Sequence, residues 1–396
     1  MKIISNNIVD IVRKNKTDIV SILLKRYPEF IFNKNTSVSD DEIPIFTFHE
    51  VQPDKFEEQI KYLTDNGYSS LDSQELTGFY NNHKTTGTKN VILTFDDGHK
   101  SLWTFAYPIL KKYNQKAISF IIPGQIKESN IKSANLEDYW NGKANNEDIS
   151  TDEKLCNWSE INDMHMSGII DFQSHTLYHN SIFTSNKLID FINPVYEQTF
   201  WNSIYSPVLN VNGVDSFDFN NKYGQPVYQS APAMSAKLRF IEDENMSREC
   251  INFVNNIGSS EFFSNKNWKK ELESFFLSKK KEIGESSKYI TKEEKYLEIK
   301  KDLNNSKLII EERLNKKVTH LCYPWYVGSE LSVNISKELG YKFNYWGFLR
   351  QSKNNGVNTD PFYLSRLSDD YIFLLPGKDR KTIKDLFLSK INKVLN

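Results

Sequence analysis

The stretch Val91-Ile92-Leu93-Thr94-Phe95-Asp96-Asp97-Gly98 is a run apolar on both faces that stops at two adjacent carboxylates and a glycine. Such a run suits a strand buried on both sides of a parallel sheet. Adjacent acids at its end are costly, because like charges crowd and neither can be buried unpaired. In parallel α/β sheets the carboxyl ends of the strands are where sites form. Successive residues leaving a strand point in different directions, so one carboxylate can bind a cation while its neighbour stays free as a base. An Asp-Gly turn leaves the same trace, so these residues do not decide the matter alone.

A second apolar segment, residues 169–174, ends in Ser174-His175-Thr176-Leu177-Tyr178-His179. If the chain enters a helix there, histidines four apart share a face and converge on one ion. Asp97, His175 and His179 then form a two-histidine, one-carboxylate set with positions left open for water and substrate, which suits catalysis rather than structure. A pair of surface histidines is the plainer reading of the spacing by itself. Two such motifs at comparable strand ends argue against it.

Outward from these motifs the texture repeats. Residues 43–49, 91–95, 117–122, 318–323, 343–347 and 363–367 read as further strands. Between them lie helical stretches, one through Phe56, Ile60 and Leu63 that stops at Gly67, another over 158–166 closed by Gly168. About seven such units predict a parallel barrel covered by helices. Residues 1–40 read as a helical preface, with Ile8, Ile11, Val12, Ile19, Ile22, Leu23 and Phe30 at spacings near three and four. Residues 41–396 form the barrel, interrupted by an insertion at about 185–315. That insertion is irregular at first and then helical, marked by Trp268, Leu272, Phe275 and Phe276, then by Tyr296, Ile299, Leu303, Ile310 and Leu314.

The chain has 396 residues, enough for one α/β barrel of about 250 with additions. Its 39% hydrophobic content excludes a wholly disordered chain. With 50 Lys and Arg against 51 Asp and Glu, no basic excess exists to drive nucleic-acid binding. Cys156, Cys250 and Cys322 are too far apart for a CxxC pair and too few for a disulfide framework, which favours a reducing compartment. No uninterrupted apolar segment follows Met1 and no run approaches 18 apolar residues. The expectation is a cytoplasmic protein without a membrane span.

The motifs TFDDG and SHTLYH, with Trp158, Ile161, Met164 and Gly168 leading into the second, resemble the polysaccharide deacetylases of carbohydrate esterase family 4, the NodB homology family. The resemblance covers roughly residues 43–179 and 318–370. It implies a distorted (β/α)7 barrel, one divalent metal ion (zinc, with cobalt, manganese or nickel as alternatives) and hydrolysis of a sugar N-acetyl group. Carried over by position, Asp97, His175 and His179 are the metal ligands and Asp96 the catalytic base. The backbone N–H of Trp325, in Cys322-Tyr323-Pro324-Trp325, is the oxyanion donor, and Trp325 with Tyr326 offers a wall for a sugar ring.

This chain departs from the pattern twice. Cys322 stands where the third motif usually begins with an Arg that orients the base, and no histidine follows His320 to serve as the family's C-terminal general acid. Arg366, near the end of a late strand, is a candidate for the missing guanidinium. His49, in Phe46-Thr47-Phe48-His49, resembles the YH-containing first strand of branches acting on poly-N-acetylglucosamine and is the first candidate for the acid. His99 is the second; His83 reads as a loop residue, His165 as packing or surface, and His320 as core. The expected function is metal-dependent removal of the N-acetyl group from an N-acetylhexosamine in a glycan or glycan precursor, with that substrate as partner. A glycan-binding relative without activity, or a hydrolase of an N-formyl group or cyclic amide, remains open.

Overall fold

The computed structural model describes residues 16–82, 89–149, 153–195, 209–211, 214–216, 222–284, 288–349, 353–386 and 388. Ile8, Ile11, Val12 and His83 lie outside them.

Five strands precede the insertion: β1 (Ile45–Phe48), β2 (Tyr68–Ser70), β3 (Lys89–Asp97), β4 (Ala117–Ile121) and β5 (Ile170–Ser174). The insertion contributes β6 (Ser181–Phe191), β7 (Leu209–Val211), β8 (Val214–Ser216) and β9 (Pro226–Pro232). After it come β10 (His320–Cys322), β11 (Phe343–Tyr345) and β12 (Leu367–Ser368). The main sheet is parallel and runs β11-β10-β5-β4-β3-β1-β12, with β2 paired to the start of β3. It curls into a barrel. A parallel bridge from Tyr345 to Leu364 ties the β11 edge to the segment that runs on into β12.

Alternation along β3 explains why residues 91–93 and 95 are apolar on both faces. Ile92 faces inward with Ile45, Ile118, Phe120, Cys322, Phe343 and Tyr345. Val91, Leu93 and Phe95 face outward with Phe46, Phe48 and Phe172, beneath Phe56, Ile60 and Leu63 of the helix Pro53–Asp65 and Ile161 and Met164 of the helix Trp158–Met166. Thr94 and Asp96, two and four residues beyond Ile92, continue the inward row.

The long helix Lys292–Leu314 lies within the span 185–315 expected as the insertion, yet packs on the barrel. Its Ile299, Leu303, Ile310 and Leu314 are buried in the outer layer of the barrel, each stabilising it by roughly 1.5–3 kcal/mol on burial. An apolar stripe reveals a helix but not which surface it covers, so the sequence alone placed it with its insertion neighbours. Thr291 and Glu294 form the box that starts it, and Asn315, at φ 47°, ends it. The insertion itself has a separate core of Phe183, Phe191, Tyr228, Phe240, Cys250, Val254, Leu272 and Phe276, around the antiparallel β6–β9 pair and the helices Glu244–Asn256 and Trp268–Ile283.

The described part of the preface holds two helices, Lys16–Leu23 and Glu29–Phe32, joined and followed by irregular chain, and Tyr27, Phe30 and Ile31 join the outer layer. Arg380 donates to the Phe30 carbonyl at 2.7 Å, fastening it to the C-terminal segment. Among the described residues no helix is long and apolar enough to cross a membrane.

Candidate metal centre

The strand register brings the two motifs level. Asp97 pairs with Ile121, Ile121 with Ser174, and Ser174 with Leu321. The carboxyl ends of β3, β4, β5 and β10 therefore finish side by side, and His175 follows directly.

The His175–His179 segment does not take the helical option that the spacing left open. It is a tight turn with Thr176 at φ 68° and His179 at φ 53°. The Ser174 hydroxyl accepts the Thr176 N–H at 3.3 Å and the Thr176 hydroxyl accepts the His179 N–H at 3.1 Å. These local hydroxyl contacts replace helical ones. Asp97 (φ 70°), Trp325 (φ 50°) and Tyr326 (φ 62°) share the left-handed conformation. Side-chain-bearing residues adopt it at a cost, and such strain collects at functional sites.

Gly124 closes the far side of the turn, its N–H donating to the Leu177 carbonyl at 2.9 Å. A Cβ there would lie 2.4 Å from the Tyr178 ring and 2.7 Å from that carbonyl. Gly124→Ala is therefore expected to destabilise the fold by roughly 1–3 kcal/mol, read as a lowered Tm in thermal unfolding.

Asp97, His175 and His179 are buried and their ligand atoms lie within 4.8 Å of one another. Nε2 of His175 is 3.4 Å and Nε2 of His179 3.5 Å from Asp97 Oδ1. Three donors around a tetrahedral zinc, with bonds of about 2.0–2.2 Å, stand roughly 3.4 Å apart. His175 Nδ1–H donates to the Cys322 carbonyl at 2.9 Å, leaving the Nε2 lone pair directed at the site. Burial drives His179 down to about 3, so its ring is neutral, as a ligand requires. Burial also opposes ionisation of Asp97, but the two imidazoles outweigh it and hold the carboxyl well below its usual range. His175 moves the other way: despite its burial, Cys322, Asp96 and Asp97 around it raise its affinity for a proton, which a bound cation would have to displace from Nε2. The pocket is built to attract a cation, and its donors fit one.

Asp96, His175 and Cys322 form a second compact group, but it does not fit. Burial raises the Cys322 thiol, keeping it protonated. Both Asp96 oxygens are already taken by Arg366, with Nη1–Oδ1 at 2.7 Å and Nη2–Oδ2 at 2.8 Å. A cation there would meet a guanidinium.

The fork comes from Arg366, the candidate for the guanidinium missing from the third motif. Arg366, fully buried, also donates from Nη1 to Thr94 Oγ1 at 3.2 Å and from Nε to the Trp346 carbonyl at 2.9 Å. Burial alone would raise the Asp96 carboxyl, yet Arg366 and the facing imidazoles hold it below the ordinary carboxylate value. Cys322 Sγ sits 3.7 Å from Asp96 Oδ1.

His49 follows β1 with its side chain 40% exposed and Nε2 3.8 Å from Asp96 Oδ2, so it stands at the open mouth of the site. Tyr326 lies edge-on to His49, with ring centroids 6.3 Å apart, and covers Arg366 at 5.2 Å. It is the exposed aromatic of the rim. The Trp325 ring instead packs on His179, with centroids 4.3 Å apart, and so buttresses a candidate ligand. His99 is buried, its Nδ1 accepting the Ser101 N–H at 3.2 Å. His165 lies half-buried on the helix Trp158–Met166. His320 is core, as expected, with Nδ1 2.9 Å from the Tyr345 hydroxyl and its ring on Phe343.

Two residues were missed: Ser306, whose hydroxyl is 2.8 Å from that of Ser174, and Asp302, whose Oδ1 accepts the Leu177 N–H at 2.9 Å. A signal existed, because Ser306 occupies a core position in the stripe Ile299, Leu303, Ile310, Leu314.

Residues 83–199 match the polysaccharide deacetylase family model. A poly-β-1,6-N-acetyl-D-glucosamine N-deacetylase of Staphylococcus aureus is 28% identical over 139 residues, 35% of this chain and 41% of that protein. The Bacillus subtilis protein YxkH, named for the same family, is 38% identical over 89 residues, 20% of this chain and 32% of its own length. The matched stretches thus span less than half of these relatives. A solved de-N-acetylase from Aggregatibacter actinomycetemcomitans aligns over 87% of this chain and all of its own, with 17% identity and a TM-score of 0.50, and shows the shared fold. The resemblance read from the two motifs holds.

Proposed function

We propose that this chain, which carries the polysaccharide deacetylase signature over residues 83–199, is a metal-dependent hydrolase that removes the N-acetyl group from an N-acetylhexosamine in a glycan or glycan precursor. The observation that carries this reading is the buried Asp97, His175, His179 cluster beside a second carboxylate, Asp96, held ionised by Arg366. The name of the Staphylococcus aureus relative supports the choice of an N-acetylglucosamine polymer as substrate.

Asp97, His175 and His179 would hold a divalent ion, zinc in the first instance. When bound, it supplies a Lewis acid that makes water a nucleophile near neutral pH and polarises the acetamide carbonyl. Asp96 takes the proton of the attacking water; its ionised state and the Arg366 fork keep it ready and oriented for this. The Trp325 N–H stabilises the negative charge that develops on the acetamide oxygen. His49, across the mouth from Asp96, delivers a proton to the departing amine. Tyr326 gives the sugar ring an apolar face at the rim.

Purified protein is expected to release acetate from N-acetylglucosamine oligomers, to lose this activity on chelation and to regain it with zinc or cobalt. Absence of acetate release from metal-loaded, folded protein on every N-acetylated oligomer tried would refute the reading. His49→Gln is expected to lower kcat on the amide substrate by about 10²-fold or more. An aryl acetate, whose leaving group needs no proton, should be hydrolysed by this variant within a few-fold of the unaltered enzyme. An equal loss on both substrates would remove His49 from the role of acid.

A further inference from the structure

The turn that carries both histidines is braced from outside at three backbone atoms. Gly124 N–H donates to the Leu177 carbonyl, and Gln125 Nε2 donates to the Tyr178 carbonyl at 2.7 Å; both come from the loop after β4. The third contact comes from another direction: the Asp302 carboxylate, on the helix Lys292–Leu314, accepts the Leu177 N–H. Leu177 is midway between the two histidines and is buried. One turn further along the same helix, Ser306 meets the Ser174 hydroxyl that accepts the Thr176 N–H. With Thr176 and His179 both left-handed, the turn has no helical ladder of its own to hold it. Of the three braces, Asp302 is the one that comes from outside the β4 loop.

The same helix receives the end of the insertion. Strand β6 starts at Ser181, two residues after His179. At the return end, the Ala233 N–H donates to the Asn180 carbonyl at 3.1 Å, while Lys295 Nζ donates to the Ala233 carbonyl at 2.8 Å. Turn, insertion and helix are one hydrogen-bonded unit.

We propose that Asp302 is a positioning residue for the metal centre: by accepting the Leu177 N–H it fixes the turn that aims His175 and His179 at one point. The assignment rests on the metal-dependent reading of the site. Outer partners that orient ligands typically change metal affinity by about 10–100-fold when removed.

The test is titration of the metal-free full chain with cobalt(II), following the visible absorption of the bound ion. Asp302→Ala is expected to weaken cobalt affinity by about 10–100-fold and to alter the band shape. Asp302→Asn keeps an acceptor oxygen in place and is expected to return affinity to within about threefold of the unaltered protein, since the retained hydrogen bond is weakened by loss of charge only. Should the alanine variant fail to fold, Asp302→Glu, with its carboxylate displaced by one methylene, is read in the same way. Unchanged affinity and spectrum in a folded alanine or glutamate variant would overturn the proposal while leaving the metal site intact. A lowered Tm without a change in cobalt binding would likewise reduce Asp302 to a structural contact. If the unaltered protein takes up no cobalt, the metal-dependent reading fails first and this assignment falls with it.

Discussion

Asp96→Asn is expected to lower acetate release by about 10³-fold while leaving cobalt or zinc uptake within a few-fold of the unaltered protein. The size follows from the loss of a general base, typically worth about 10²–10⁴ in rate. The selectivity follows from the geometry. Asp97 Oδ1, not Asp96, faces both histidine Nε2 atoms at 3.4 and 3.5 Å, so the donor set survives the change. Asn retains one oxygen to accept from Arg366 but cannot take a proton. The measurements are kcat on an N-acetylglucosamine oligomer and a metal titration on the same preparation. If activity and metal binding fell together, Asp96 would be a ligand rather than the base. If neither fell, the chain would hold an ion without using Asp96 to activate water.

The contrast matters because adjacent carboxylates look alike in sequence. Asp96-Asp97-Gly98 announces a site, and alternation from Ile92 through Thr94 sends Asp96 inward, yet only the left-handed turn at Asp97 separates the two roles. The same limit applies at His175 and His179. Their spacing is equally compatible with a helix and with a turn, and the hydroxyls that select the turn, Ser174 and Thr176, are ordinary residues until the hydrogen bonds are seen. Strands β1, β3 and β4 were legible because burial leaves apolar runs over 45–48, 91–95 and 117–121 broken only by Thr47, Thr94 and Ser119, and β5 through the alternating Ile170 and Phe172. Strand β2 was not, because three residues with an exposed centre carry no such run. The helix Lys292–Leu314 was legible as a helix and misplaced as a neighbour, since period reports which face is buried and not against what.

Arg366 is the most distant piece of the site in sequence and the one whose removal should cost the fold most. Arg366→Met is expected to destabilise the protein by about 3–5 kcal/mol, because it strands the Asp96 carboxylate in a dry interior with its main counter-charge gone. The same substitution is expected to lower kcat, as a carboxyl without its fork is pushed by burial towards its protonated form and is no longer a base. Arg366→Lys should rescue only part of either loss: an ammonium is one point charge, and cannot occupy both Asp96 oxygens while reaching Thr94 and the Trp346 carbonyl. The double variant Asp96→Asn, Arg366→Met removes both charges together and is expected to be more stable than Arg366→Met alone. Thermal and denaturant unfolding of the four proteins measure this coupling directly. Additive effects of the two substitutions would mean that the fork does not govern Asp96.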